Sequence, residues 1–223
     1  MKKILFLGYS SKETKLIQTL KDLRKYQIFN SKKKIKLSDL NDIDLIITFG
    51  YRHLINQDIL IKNKKIINLH ISYLPYNRGA HPNFWSFAEN TPSGVSIHKI
   101  DSGIDTGNII SQIRFKIPIN ATAYENYLKL MKYAVILLKK NIKKILNDNY
   151  SSKKQKLEKG SYYNRSSVDY SKLSIIKQIN NDINIHNHIR SLIFPPLQLP
   201  KYKKKFIIKS FYKNKKIQLR YKK

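Results

Sequence analysis

The sequence predicts an α/β fold, and three stretches carry that expectation. Lys2–Leu7 is a short apolar run closed by Gly8, and helix-spaced Leu16, Ile17, Leu20 and Leu23 follow it. Asp44–Tyr51, DLIITFGY, is the near-continuous apolar run of a parallel strand buried on both faces. Ala123–Leu146 is the longest helical pattern, with Tyr127, Leu130, Met131, Ala134, Leu138, Ile142 and Ile145 recurring every three or four residues. Strands alternating with amphipathic helices stack as a Rossmann-like layer.

Taken in order, the first strand gives way to a helix over Ser11–Leu23, with Ser10 or Ser11 as cap and Glu13 in its first turn. Gly8-Tyr9-Ser10-Ser11 offers one glycine where a dinucleotide fingerprint needs three, so that class of site has little support. Tyr26–Asn30 reads as a short second strand and Lys32–Lys36 as a solvated face. Asn56–Ile61 suits a short helix before a Lys65–His70 strand. Asn83–Ala88 is helical, Gly94–Ile100 and Asn108–Ile117 are strands, and Asn120-Ala121-Thr122 caps the long helix. Residues 1–150 therefore read as one catalytic-sized domain.

Residues 151–223 form a small basic α+β appendage. Gln155–Tyr163 reads as an extended connector, and Ile175–Leu192 as a helix stopped by Phe194-Pro195-Pro196. Phe206–Ser210 and Lys215–Tyr221 read as a hairpin around Lys213-Asn214, a surface on which a homodimer is expected.

Composition narrows the function classes. The chain has 223 residues and no cysteine, which excludes a disulfide framework, a thiolate metal site and a cysteine nucleophile. Net charge is +30, from 44 Lys+Arg against 14 Asp+Glu, and residues 151–223 hold 19 of those cations and 3 of those anions. Such a surplus attracts anionic partners: nucleic acid, acidic membrane surfaces or phosphorylated ligands. A Lys-, Ile- and Asn-rich bias from AT-rich coding produces the same surplus without any partner. Met1-Lys2-Lys3 with ILFLG is too short for a secretory core and reads as a strand. No apolar run reaches membrane-spanning length, so no membrane insertion and a cytoplasmic location are expected.

The chemistry concentrates between Ile67 and Ile110. On a strand, Asn68 and His70 point to the same side, because residues two apart share a face. An amide and an imidazole converging on one spot can donate to a developing oxyanion. A carboxylate beside the imidazole would orient it and favour its protonated form, and Asp105 and Asp101 are the candidates. With no G-x-S-x-G elbow and no cysteine, this points to acyl-type transfer without a covalent enzyme intermediate. His98 reads as a structural histidine of the Gly94–Ile100 strand.

Four blocks in this order resemble the folate-dependent formyltransferases: Asn68-Leu69-His70, Leu74-Pro75-Tyr76-Asn77-Arg78-Gly79, Gly94-Val95-Ser96-Ile97-His98, and Asp101-Ser102-Gly103-Ile104-Asp105-Thr106-Gly107. The resemblance implies a Rossmann-like formyltransferase domain with Asn68, His70 and Asp105 as the catalytic trio. It implies N10-formyl-tetrahydrofolate as co-substrate and no metal. Gly50-Tyr51-Arg52-His53-Leu54-Ile55 matches the family's pterin loop, so Tyr51, His53, Leu54 and Ile55, with Asp101, are the expected folate contacts. Asn77–Trp85 and Arg190–Pro196 look most like the small enzymes that formylate a nucleotide-linked amino sugar, with Tyr76, Arg78 and Trp85 as expected substrate contacts. An arginine suits a diphosphate and an aromatic suits a sugar or base.

The expected reaction is attack of a neutral substrate amine on the formyl carbon, with the amine proton taken by His70 or Asp105. A dTDP- or UDP-linked 3-amino or 4-amino deoxyhexose fits this expectation. Two alternatives stand beside it: the same chemistry on methionyl-tRNA, with the basic tail tracking phosphates, and a non-catalytic nucleic-acid-binding module. The tail matches no zinc finger, helix-turn-helix or aromatic RNA-binding signature, so a nucleic-acid partner is not expected.

Overall fold

A computed structural model describes residues 1–62, 65–168, 182–195, 198–202, 204–214 and 216–222. The expected helix over Ile175–Leu192 lies partly outside them. Its described part is Asp182–Leu192, α5 in the numbering below.

Six strands form the central sheet: β1 Lys2–Gly8, β2 Tyr26–Ser31, β3 Leu45–Phe49, β4 Ile66–His70, β6 Ser93–Lys99 and β7 Ile109–Phe115. Their spatial order is β2-β1-β3-β4-β6-β7, parallel through β4 and antiparallel from there to β7. Between them lie α1 Leu16–Asp22, α2 Gln57–Lys62, the two-residue β5 Arg78–Gly79 and α3 Pro82–Ala88. The Rossmann-like layering expected from the opening strand and helix is the fold observed.

Alternation along the parallel strands divides the core. Ile4, Phe6, Leu45, Ile47, Ile67 and Leu69 meet α1 and the long helix α4, Ala123–Leu146. Leu5, Leu7, Ile46 and Ile66 face the other way, onto Ile35, Leu40 and Ile59. Helix α4 starts at a capping box: Glu125 N donates to Thr122 Oγ1 and Thr122 N donates to Glu125 Oε2. At its far end Lys2 Nζ donates to the orphan Leu146 carbonyl at 2.6 Å.

The first helix begins later than its apolar spacing suggests. Residues 10–14 form a separate turn in which Glu13 accepts from both Ser10 N and Ser10 Oγ, and α1 proper starts at Leu16. Ser10 and Glu13 thus make a local box around the turn instead of capping the helix.

Residues read as a connector return to the sheet. Lys153 exchanges two backbone hydrogen bonds of 2.8 Å with Ile109, and β8, Tyr162–Tyr163, pairs in parallel with β5. Only beyond that return does the chain build α5 and the strands β9 Lys201–Tyr202, β10 Lys205–Lys213 and β11 Lys216–Tyr221. The expected terminal hairpin is present as the antiparallel β10–β11 pair. Among the described residues no helix is long and apolar enough to cross a membrane.

Candidate active site

The carboxyl ends of β3 and β4 open into a cavity of about 640 Å³, the side of an α/β sheet where ligands gather. Its floor is set by strand register. Thr48 on β3, Asn68 on β4 and His98 on β6 lie side by side across three strands. Thr48 Oγ1 donates to Asn68 Oδ1 at 2.8 Å, which fixes the amide with its nitrogen towards Asp105. Asn68 Nδ2 donates to Asp105 Oδ1 at 2.9 Å and lies 3.1 Å from His98 Nε2. His70, two residues along β4, brings Nδ1 to 3.5 Å from Asp105 Oδ2.

Asp105 is therefore the convergence point. It sits on the loop between β6 and β7 with φ of 53°, a left-handed backbone that β-carbon-bearing residues seldom adopt. Beyond Asn68 and His70 it accepts from Gly79 N at 2.9 Å, and His98 Nε2 stands 3.3 Å from Oδ1. Burial opposes its ionisation, but the two imidazoles and the Gly79 amide outweigh that and hold the carboxyl well below the usual range.

Proton inventory follows from the remaining ring nitrogens. His70 Nε2 is 3.0 Å from the Asn77 carbonyl and His98 Nδ1 is 2.7 Å from the Lys99 carbonyl. A carbonyl accepts only, so each of those nitrogens carries a proton. The remaining nitrogens, His70 Nδ1 and His98 Nε2, face the Asp105 carboxylate, and His98 Nε2 also lies within reach of the Asn68 amide, which can donate to it.

The cavity walls come from two directions. On one side stand Tyr51, His53, Leu54, Ile55 and Asp101, the residues expected to meet folate. Tyr51 anchors its loop by accepting from Ile35 N and donating to the Lys33 carbonyl, both at 3.1 Å. Gly50 opens that loop at φ of 67°, where a side chain would strike the Tyr9 ring at 2.7 Å. Asp101 also ties down the loop bearing Asp105, accepting from Thr106 Oγ1 at 2.6 Å and Gly103 N at 3.1 Å.

A second group of lining residues is His81, Tyr162, Tyr163, Asn164 and Arg165, none of them among the contacts expected from sequence. Tyr76, Arg78 and Trp85, expected to touch substrate, are not among the lining residues. Arg78 is taken up in the β5–β8 pairing, and Trp85 stacks on Tyr163 with centroids 3.9 Å apart and planes 10° from parallel. Tyr76 sits in the turn after the Leu74–Pro75 bond, with its amide on the Tyr73 carbonyl. Arg78 and Trp85 are thus engaged by the returning chain instead of the cavity.

His98, expected to be structural, is fully satisfied and buried, yet it touches Asp105 and Asn68 directly. Its position opposite Asn68 in an antiparallel pair was the signal, and that pairing is invisible without the sheet. Thr48 was hidden for the same reason.

Comparison with known proteins identifies the family. The family model described as formyl transferase matches residues 9–142. Methionyl-tRNA formyltransferase of Clostridium tetani is 32% identical over 194 residues, which is 86% of this chain and 62% of that protein. The chain thus spans under two thirds of that relative's length. Among solved structures, the formyltransferase PseJ from Anoxybacillus kamchatkensis, in complex with UDP-4,6-dideoxy-4-formamido-L-AltNAc and tetrahydrofolate, is 36% identical. Its TM-score is 0.70, over 79% of this chain and 92% of that one. WlaRD, a sugar 3N-formyl transferase in the presence of dTDP and 5-N-formyl-THF, is 29% identical with a TM-score of 0.82, over 96% and 87%. A carboxylate braced by an amide and two imidazoles, in a chain whose family match spans β3, β4 and the Asp105 loop, has one reading at the level of family: this chain belongs to the formyl transferases.

Proposed function

We propose that this protein moves a formyl group from N10-formyl-tetrahydrofolate to the amine of a nucleotide-linked amino deoxy sugar. The observation that carries the proposal is the Asp105 cluster at the floor of a two-walled cavity. The wall of Tyr51, His53, Leu54 and Ile55 would take the pterin end of folate, with Asp101 at its rim. The wall of His81, Asn164 and Arg165 would take the acceptor. Arg165 supplies a guanidinium suited to a diphosphate, and Tyr76, Arg78 and Trp85 would act from behind that wall.

The amine nitrogen would form its bond to the formyl carbon while the carbonyl electrons move onto oxygen. Asn68 Nδ2 and a protonated His70 would stabilise that oxyanion, each releasing its resting partner as the charge develops. Collapse would expel N10, and the proton lost by the amine would be returned to it through Asp105 and its imidazoles. The contacts of His70 and His98 with Asp105 support this path, because they place ionisable groups side by side at the cavity floor.

A second reading keeps the chemistry and makes methionyl-tRNA the acceptor; the 32% identity to the clostridial enzyme across 86% of this chain favours it. Both are tested by mass change. Incubation with N10-formyl-tetrahydrofolate should add one formyl group to one member of a panel of dTDP-, UDP- and GDP-linked 3-amino and 4-amino sugars. Formylation of methionyl-tRNA with no change in any sugar would select the second reading. No formylation of either would overturn both.

A further inference from the structure

We propose that Gln155 is a positioning residue for Asp105, acting through the backbone of the loop that carries it; the inference rests on the formyl-transfer reading above. Gln155 lies beyond the family match, which ends at residue 142, in a stretch whose composition reads as a connector. The structure turns that stretch back under the site. The backbone bridge between Lys153 and Ile109 fixes the chain, and Gln155, two residues on and buried, sends its amide to the Asp105 loop.

There Nε2 donates to the Asp105 carbonyl at 2.9 Å and to the Gly107 carbonyl at 2.7 Å, using both of its hydrogens. The side chain is 6% exposed, so water cannot replace those bonds cheaply. They grip a segment that needs gripping. Asp105 holds a left-handed φ of 53°, and Gly107 is pressed so near β6 that a Cβ would stand 1.9 Å from the Lys99 carbonyl.

Asp101 braces the loop from its exposed side through Thr106 and Gly103, where water competes. Gln155 braces it from the buried side. Its grip determines where the carboxylate points. Asp105 Oδ1 to Asn68 and Oδ2 to Gly79 are both 2.9 Å contacts, and a drift of about 1 Å ends both as hydrogen bonds. Gln155 reaches none of the reacting atoms, and the effect would be transmitted by the loop alone.

The test is Gln155→Met, which keeps length and removes both donors, compared with Asp105→Asn and with the two combined. Turnover of the formylated acceptor should fall about 10- to 100-fold in kcat, the scale of a 1 Å misplacement. KM values for both substrates should stay within about twofold, because no binding contact is removed. In the Asp105→Asn background Gln155→Met should cost nothing further.

A readout independent of activity is hydrogen exchange at the Gly79 amide, whose partner is the Asp105 side chain. Exchange there should accelerate in Gln155→Met as it does in Asp105→Asn, while amides of β4 and β6 stay protected. Gln155→Asn, with the same donors on a shorter stem, should fall between wild type and Gln155→Met in both readouts. It serves as the variant if the methionine form does not fold. Wild-type exchange at Gly79, exchange rising equally along β4 and β6, or multiplying kcat losses in the double variant would overturn the proposal. Absence of formyl transfer with Gly79 exchange behaving as expected would instead count against the function and leave the positioning role standing.

Discussion

Asp105 and Arg190 are both buried charges, and the fold keeps them in opposite ways. Asp105 meets an amide, a backbone N–H and two imidazoles; the first two donate hydrogen bonds to the anion, and the imidazoles are ionisable groups beside it. Arg190, on α5, meets the carbonyls of Pro118 and Ala121, the Asn187 side chain and the face of Phe87 at 4.6 Å. Those partners are neutral and titrate nowhere near physiological pH. Burial pulls the guanidinium down to about 10, against a carboxyl at Asp105 that is favoured as an ion. A charge surrounded by fixed dipoles can only hold things together. One that faces imidazoles at a cavity floor would, in the proposed reaction, pass protons to and from what enters.

The comparison is sharpest where function and stability should part. Asp105→Asn should lower kcat for formyl transfer by about 10²- to 10³-fold, the scale of removing a preorganised electrostatic partner. Steady-state kinetics on the accepted sugar decides it, and a loss under about fivefold would sink the proton-exchanging role. The same residue makes a pH prediction. Its folded-state pKa lies below the unfolded carboxylate value of about 3.9, so between those values the unfolded chain binds more protons. The stability it contributes is fully present above about pH 5 and is lost as pH falls through the acidic range. Urea midpoints of wild type should drop more steeply there than those of Asp105→Asn.

Arg190→Ala should behave in the converse way. It strands two carbonyls and opens space beside Phe87, for a stability loss of about 2–4 kcal/mol. Turnover per folded molecule should stay within about threefold, since Arg190 lies outside the cavity lining. Chemical denaturation alongside kinetics checks both halves, and a large kcat loss with unchanged stability would erase the distinction drawn here.

The smallest effect belongs to the exposed pair joining the same two parts of the chain. Lys209 Nζ is 2.6 Å from Glu125 Oε1, but the side chains are 25% and 49% exposed. Lys209→Ala should therefore cost about 0.5 kcal/mol or less in a denaturation midpoint. A loss comparable to that of Arg190→Ala would mean the surface pair, not the buried cation, docks the C-terminal part.

Legibility followed chain distance. Asn68 and His70 could be read as sharing a face because period-two spacing is a local pattern, while Asp105 was one of two candidate acids in a Gly-flanked turn until the family resemblance singled it out. Tyr51, His53, Leu54 and Ile55 were named through the resemblance to the family's pterin loop, and they do line the cavity, as loops at the carboxyl ends of parallel strands commonly do. His98 was visible as a residue but not as a neighbour of Asp105, since that contact depends on β4 pairing β6 in one register. Gln155 and Arg165 had no signal. They owe their places to a connector that pairs with β5 and β7, and an irregular polar stretch carries no period from which such pairing could be inferred.

By itself the sequence determined the layer, the strand that bears the amide and imidazole, and the loop that bears the acid. Hydrophobic period and turn chemistry are properties of neighbours in the chain, and both survive in a string of residues. Only the tertiary structure decided which of those groups touch, that a second histidine joins them, and that part of the cavity lining comes from beyond residue 160. Contact between residues far apart in sequence is fixed by sheet register and by where a returning segment finds free hydrogen-bonding edges, and those are settled when the chain packs.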